Sequence, residues 1–237
     1  MKNILVGAIG LIILLFSGIK IFAQKNWNHL DSHDMVSNDT ISRNGYTLVF
    51  LNNDTNLVAS VKQRLIEAFF TVYPVEAEMY NKQTIKKVVF FMDPEYKGVA
   101  ATSGDIVRFN PQYFHNNPGD IDVVTHEVMH IVQAYPGNAG PGWLTEGIAD
   151  YVRFKVGIDN KGAQWTLPNF SAKQNYENAY RVTARFLVWL EKNKMKGIVK
   201  QLDIDMRTKT YNSQIWKQLT GKTVDELWSE YAQNPVI

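Results

Sequence analysis

Thr125-His126-Glu127-Val128-Met129-His130-Ile131 is the stretch on which the fold and the chemistry of this chain turn. It lies inside an apolar run that includes Ile121, Val123, Val124, Val128, Met129, Ile131 and Val132. Residues four apart in a helix sit one turn apart on the same face, so His126 and His130 point the same way. Glu127 falls on the adjoining flank. Two imidazoles so placed can share one zinc ion, and the glutamate can reach a water bound to it. The plain alternative is a pair of hydrogen-bonded core histidines beside an exposed glutamate. A helix that is apolar nearly all round is buried, however. A buried carboxylate beside two histidines is costly unless a cation compensates it.

Downstream, Pro136-Gly137-Asn138-Ala139-Gly140-Pro141-Gly142 breaks the helix, and Trp143 to Val156 reads as the next one, with Gly157 as its terminator. That second helix carries Glu146 and Asp150, again four apart and on one face. Catalytic zinc takes three protein ligands and leaves a position for water. A second helix folded back by the glycine-rich turn could deliver Glu146 as the third. Asp150, one turn on, could then accept a hydrogen bond from the outer nitrogen of a ligating histidine and fix its tautomer. Exchanged roles, with Asp150 as the ligand, and a merely solvated acidic face are the alternatives.

Upstream of this pair, Tyr46 to Leu51 reads as a strand and Asn52-Asn53-Asp54 as a turn in which Asp54 or Thr55 could cap a helix. Val58, Val61, Leu65, Phe69 and Val72 recur at helical spacing; Pro74 should kink or end that helix, with Val75 to Tyr80 continuing as another turn or two. Val88 to Met92 is a continuous apolar run, the pattern of a central strand. Val99 to Phe109 reads as a hairpin around Ser103-Gly104-Asp105, and an edge strand there could pair with an extended substrate. Asn117-Pro118-Gly119-Asp120 reads as the start of the helix that bears the histidines. Ala179 to Leu190, Ile198 to Met206, Ser213 to Leu219 and a capped helix after Thr223 follow. Strands and one helix first, then helices, define an α+β fold: a small N-terminal β-sheet with a helix, followed by a mainly helical half.

The two ends of the chain's chemistry are also readable. Residues 1–23, with Lys2 before an apolar run from Ile4 to Phe16 and Ala23 at the end, read as a secretory signal peptide, with an uncleaved anchor as the rival. Residues 24–44 read as a polar, flexible lead-in; they include an isolated His29/His33 pair with no apolar periodicity around it. Residues 45–237 then form a single domain of sufficient length for a sizeable core. Of the 25 basic residues the signal segment holds Lys2 and Lys20, which leaves 23 basic against 23 acidic residues. That balance offers no basic surface for nucleic acid and, once the signal is removed, none for a membrane. With no cysteine in the chain, disulfides, thiolate metal sites and cysteine nucleophiles are excluded. Asn38, Asn53 and Asn169 sit in glycosylation sequons, which matter only in a source that glycosylates exported proteins.

The joint pattern resembles a known family. A His-Glu-x-x-His helix followed by one with Glu-x-x-x-Asp resembles the gluzincin arrangement of zinc peptidases. THEVMHIVQ, GWLTEGIADYVR, DPEYKGVA, NPGDIDVV, YRVTARFLVWLE and DELWSEY together are similar to the basic secretory protein family of plants and bacteria, over roughly Tyr46 to Tyr231. The resemblance implies a zincin-like metallopeptidase. It implies His126, His130 and Glu146 as ligands to one zinc ion, Glu127 as catalytic base and Asp150 as support for a ligand. The balanced charge departs from the basic character in the family's name. Such a peptidase needs a donor for the developing oxyanion. Tyr180 is the expected choice, ahead of Tyr176 four residues earlier, with a core or rim tyrosine as the bland alternative. The expected protein is a secreted, monomeric zinc peptidase acting on peptide or protein substrates. Two other readings stay open: a zinc-containing binding or defence protein without turnover, and a zinc hydrolase acting on a non-peptide amide.

Overall fold

The computed structural model describes Leu30 and residues 35–237. The expected signal peptide and the His29/His33 pair lie outside the described residues. Residues 35–237 fall within one compact unit. Its sheet has five strands: β1 (Ser37–Arg43), β2 (Tyr46–Asn52), β3 (Lys87–Met92), β4 (Ala100–Ser103) and β5 (Ile106–Phe109). The order across the sheet is β1-β2-β3-β5-β4. β2, β3 and β5 run parallel; β1 and β4 close the two edges antiparallel to β2 and β5.

The apolar run of β3 suits a central strand covered on both faces, all of whose residues after Lys87 are buried. Val88, Phe90 and Met92 are fully buried. Phe90 meets the rings of Phe50, Phe69 and Phe109 edge-on, and Phe109 meets Phe114. These edge-to-face contacts join the strands to α1 (Ala59–Tyr80) and α2 (Pro111–Asn116). α1 links the parallel strands β2 and β3, and Pro74 lies inside it without ending it.

Three expectations are corrected. Part of the supposed lead-in, Ser37–Arg43, is a strand. Its polar composition belongs to an edge, where only one face meets the core and the ladder to β2 needs no apolar side chains. Val58, and not Asp54 or Thr55, precedes α1; the Asp54 carboxylate instead accepts from the Asn56 N–H and bonds His115 Nε2. Asn117-Pro118 opens no helix. The same Asn-Pro pair seven residues earlier does: Asn110 accepts from the Gln112 N–H, and Pro111 begins α2. Asp120 is drawn away by Tyr113 and Arg153, and the helix of the histidines, α3 (Val123–Gln133), starts only after Asp122.

The remaining helices are α4 (Gly142–Val156), α5 (Tyr180–Asn193), α6 (Ile198–Arg207), α7 (Ile215–Thr220) and α8 (Val224–Gln233). α8 carries the expected capping box between Thr223 and Glu226. α3, α4 and α5 decide the site. α4 packs between α3 and α5. Its approach to α5 needs Gly147, since a Cβ there would lie 2.2 Å from Thr183 Cγ2. No helix among the described residues is long and apolar enough to cross a membrane.

Candidate metal centre

α3 places His126 and His130 one turn apart, and the seam with α4 brings Glu146 up to them. His126 Nε2 and His130 Nε2 are 3.1 Å apart. Glu146 Oε2 lies 3.2 Å from the first and 3.5 Å from the second. A tetrahedral ion with ligands at about 2.0–2.2 Å holds any two of them about 3.3 to 3.6 Å apart. The three observed separations lie within about 0.2 Å of that range, so the atoms can take three corners of such a site.

The outer nitrogens show what these corners present. His126 Nδ1 donates to Asp150 Oδ1 at 2.7 Å. His130 Nδ1 donates to Gln133 Oε1 at 2.7 Å. Gln133 is itself oriented, because its amide donates to the Thr145 carbonyl at 2.9 Å. With both Nδ1 atoms carrying hydrogen, the two Nε2 lone pairs face a carboxylate oxygen. Three acceptors aimed at one point repel unless a cation joins them, so the donor set fits a metal ion. Without an ion, a proton on His126 can take the same place. Burial disfavours a charged ring, yet the bonds to Asp150 and Glu146 prevail and push the imidazole up to about 10. Burial would likewise raise Glu146, but His126 and His130 pull it well below the usual carboxylate range. Of the alternatives for the second acid, Asp150 faces the outer nitrogen and Glu146 faces the cluster.

Glu127 lies beside this cluster and is buried. The Thr102 hydroxyl, from edge strand β4, donates to Glu127 Oε2 at 2.7 Å and lies 3.0 Å from the Glu127 carbonyl oxygen. One carboxylate oxygen is thereby held, and the side chain lines a cleft of about 1100 Å³ together with the two histidines, Glu146 and Tyr180. Tyr180 is 53% exposed, with its ring 6.0 Å from that of His126 and tilted by only 20°. Its backbone is strained: Ala179 has φ 61° and ψ −171°, a region that is nearly glycine-only, and Tyr180 has φ 48°. Two such residues in a row at a cleft wall cost about 1–3 kcal/mol each. They are held by the α4–α5 packing and by the Thr183 hydroxyl, which donates to the Tyr176 carbonyl. Burial and the nearby carboxylates, Glu146 foremost, raise the Tyr180 phenol, so it keeps its hydrogen. Tyr176 is turned away: its hydroxyl donates to Asp225.

Thr102, Gln133 and Gly147 escape a reading of the sequence. Gln133 had a signal, since it follows His130 by three residues on the same helix. Thr102 had none, because only the sheet brings a strand 25 residues earlier against Glu127.

Comparison with known proteins gives a family and a fold. The family model for BSP, peptidase of plants and bacteria, matches residues 29–231. No curated protein matches the sequence. Among solved structures, a two-domain M1 zinc metallopeptidase bound to L-tryptophan aligns at a TM-score of 0.52 and 14% identity, over 85% of this chain and 52% of its own. An M1 zinc metallopeptidase from Deinococcus radiodurans, solved with a Tyr-Ser-Ala substrate, aligns at 0.51 and 14%, over 85% and 53%. An aminopeptidase N family protein from Idiomarina loihiensis aligns at 0.51 and 11%, over 83% and 46%. At such identities the likeness is one of fold. The chain spans about half the length of these structures.

Proposed function

The chain belongs to the BSP family, peptidases of plants and bacteria, and from that premise we infer that it is a zinc-dependent peptidase cutting peptide bonds in the cleft beside α3. His126 Nε2, His130 Nε2 and Glu146 Oε2 would hold the ion, with Asp150 and Gln133 fixing the two rings. Bound zinc supplies Lewis acidity, which acidifies a water and polarises a carbonyl. Glu127 takes the water proton and passes it to the leaving amine. Thr102 holds one Glu127 oxygen and leaves the other for that transfer. Tyr180, kept protonated and facing the cleft, donates to the oxygen on which charge develops.

Substrate would lie along β4. Asn110 donates to the Val99 carbonyl, so in the antiparallel ladder Ala101 also faces β5. Thr102 then turns its main-chain N–H and carbonyl to the open edge, where an extended peptide can pair with it.

The observation that carries this reading is the triangle of three acceptor atoms, with a buried glutamate next to it. Metal analysis of the purified protein and hydrolysis of a peptide library test it. Glu127→Gln should keep its zinc and lose about 10²- to 10⁴-fold in kcat. Undiminished hydrolysis in that variant would overturn the role of Glu127. A zinc-loaded protein that cuts no peptide would overturn the peptidase reading in favour of a binding protein.

A further inference from the structure

The carboxylates that line the cleft are all engaged. Glu127 is bound by Thr102, Glu146 faces the histidines and Asp150 is bound by His126. Asp120 accepts from the Tyr113 hydroxyl and from Arg153, each at 2.5 Å. None of these acids is left to receive a substrate ammonium or a basic side chain. The cations of the cleft differ from one another. Arg153 is buried; besides Asp120 it bonds Asn160, and its guanidinium lies 4.5 Å above the ring of Trp165. Arg181 is exposed, lines the same cleft and pairs with no acid among the described residues. The uncommitted charge of the cleft is therefore positive.

Its position is as telling as its charge. Arg181 directly follows Tyr180, whose ring lies parallel to His126. The strained Ala179–Tyr180 backbone and the close α4–α5 contact at Gly147 set where this turn begins. Tyr113, which lines the same cleft as Arg181, follows Asn110, which bonds Gly98 and Val99 just before β4. At the other end of β4 the groove continues beyond Thr102 and His130 to Gly104, Lys86 and Lys87. A peptide laid along β4 would thus pass the metal centre and have its flanking residues within reach of Arg181.

We propose that Arg181 is a specificity residue that holds a carboxylate of the substrate. Its planar fork matches a carboxylate with two parallel N–H···O bonds, a geometry that a lysine cannot reproduce. The carboxylate can come from an aspartate or glutamate side chain beside the cut bond, or from the C-terminus of a short peptide. The inference rests on the peptidase reading above.

Matched peptides separate the sources. Each is made with Glu or Gln at every position flanking the cut, and with a free or an amidated C-terminus. Zinc-loaded wild-type protein should favour Glu over Gln at one position by about tenfold or more in kcat/KM if a side chain is bound. It should favour free over amidated ends by a similar factor if the terminus is bound. Arg181→Ala should bring the ratio to about one, and Arg181→Lys should restore part of it. A ratio near one in wild type, a ratio that survives Arg181→Ala, or a preference for basic side chains would overturn the proposal.

The same peptides titrated against zinc-loaded Glu127→Gln protein give the ratio as binding affinities. If wild type cuts no peptide but the affinity ratio is present and depends on Arg181, the peptidase reading fails and the carboxylate subsite stands. If peptides are cut and neither ratio is present, the reverse holds.

Discussion

Glu146 on the α3–α4 seam and Glu76 in the last turns of α1 are the same residue type with opposite fates. Glu146 has two imidazoles on one of its oxygens and is held well below the usual carboxylate range, although burial works against it. Glu76 is wholly buried, neither of its oxygens has a hydrogen-bond partner, and burial pushes it well above that range, outweighing the opposing pull of His126. Burial alone neutralises an acid; a set of partners keeps it charged. The seam is thus a region built for a charge, and the end of α1 is one that merely tolerates an acid in neutral form.

The largest test of that contrast is Glu146→Gln. It keeps the shape of the seam and removes the charged oxygen. Zinc affinity, measured by competition with a chelator, should fall by more than the roughly 100-fold upper bound for losing a supporting contact. An unchanged affinity would mean that the triangle is not the metal site.

Next comes Asp150→Asn, which preserves an acceptor for His126 Nδ1 and removes its charge. The expected loss in zinc affinity is about 10- to 100-fold. A loss as large as that of Glu146→Gln would make Asp150 itself the ligand.

Gly147→Ala asks whether packing, as well as charge, defines the seam. The added methyl meets Thr183, so denaturant unfolding should show a loss of about 1–3 kcal/mol. Zinc affinity should drop with it as α4 shifts and carries Glu146 away. Full affinity in a destabilised variant would separate the metal site from the α4–α5 contact.

The smallest expected effect is at Glu76, measured in metal-free protein. Because its folded pKa lies above the ordinary 4.5, its contribution to stability is full below pH 4.5. That contribution is lost as pH rises through the folded value. Glu76→Gln does not titrate. It should gain on wild type by at most about 1.4 kcal/mol for each pH unit above 4.5, and by little below it. A gain confined to acid pH would show that Glu76 is ionised in the folded protein, and the contrast with Glu146 would collapse.

Much of the fold was legible because its signals are local. The apolar run of β3, the hairpin around Gly104 and the capping box of Thr223 and Glu226 each depend on residues near one another in the chain. β1 was not legible, since an edge strand can be polar and its partner is set by the ladder. Nor was the choice between Asn110-Pro111 and Asn117-Pro118 as a helix start. Both carry the same local signal, and Tyr113 together with Arg153, 33 residues further on, decides what Asp120 does.

The site divides in the same way. The facing of His126 and His130, and of Glu146 and Asp150, was determined by the sequence alone, because helical geometry places residues four apart on one face. Tertiary structure decided the rest: that the two pairs converge, that Glu146 takes the inner place and Asp150 the outer, that Thr102 steadies Glu127 and that Arg181 is left without an acid. Within a helix, bonded geometry sets distances to a fraction of a turn. Between segments tens of residues apart, distances are set by packing, and here by such contacts as Gly147 against Thr183.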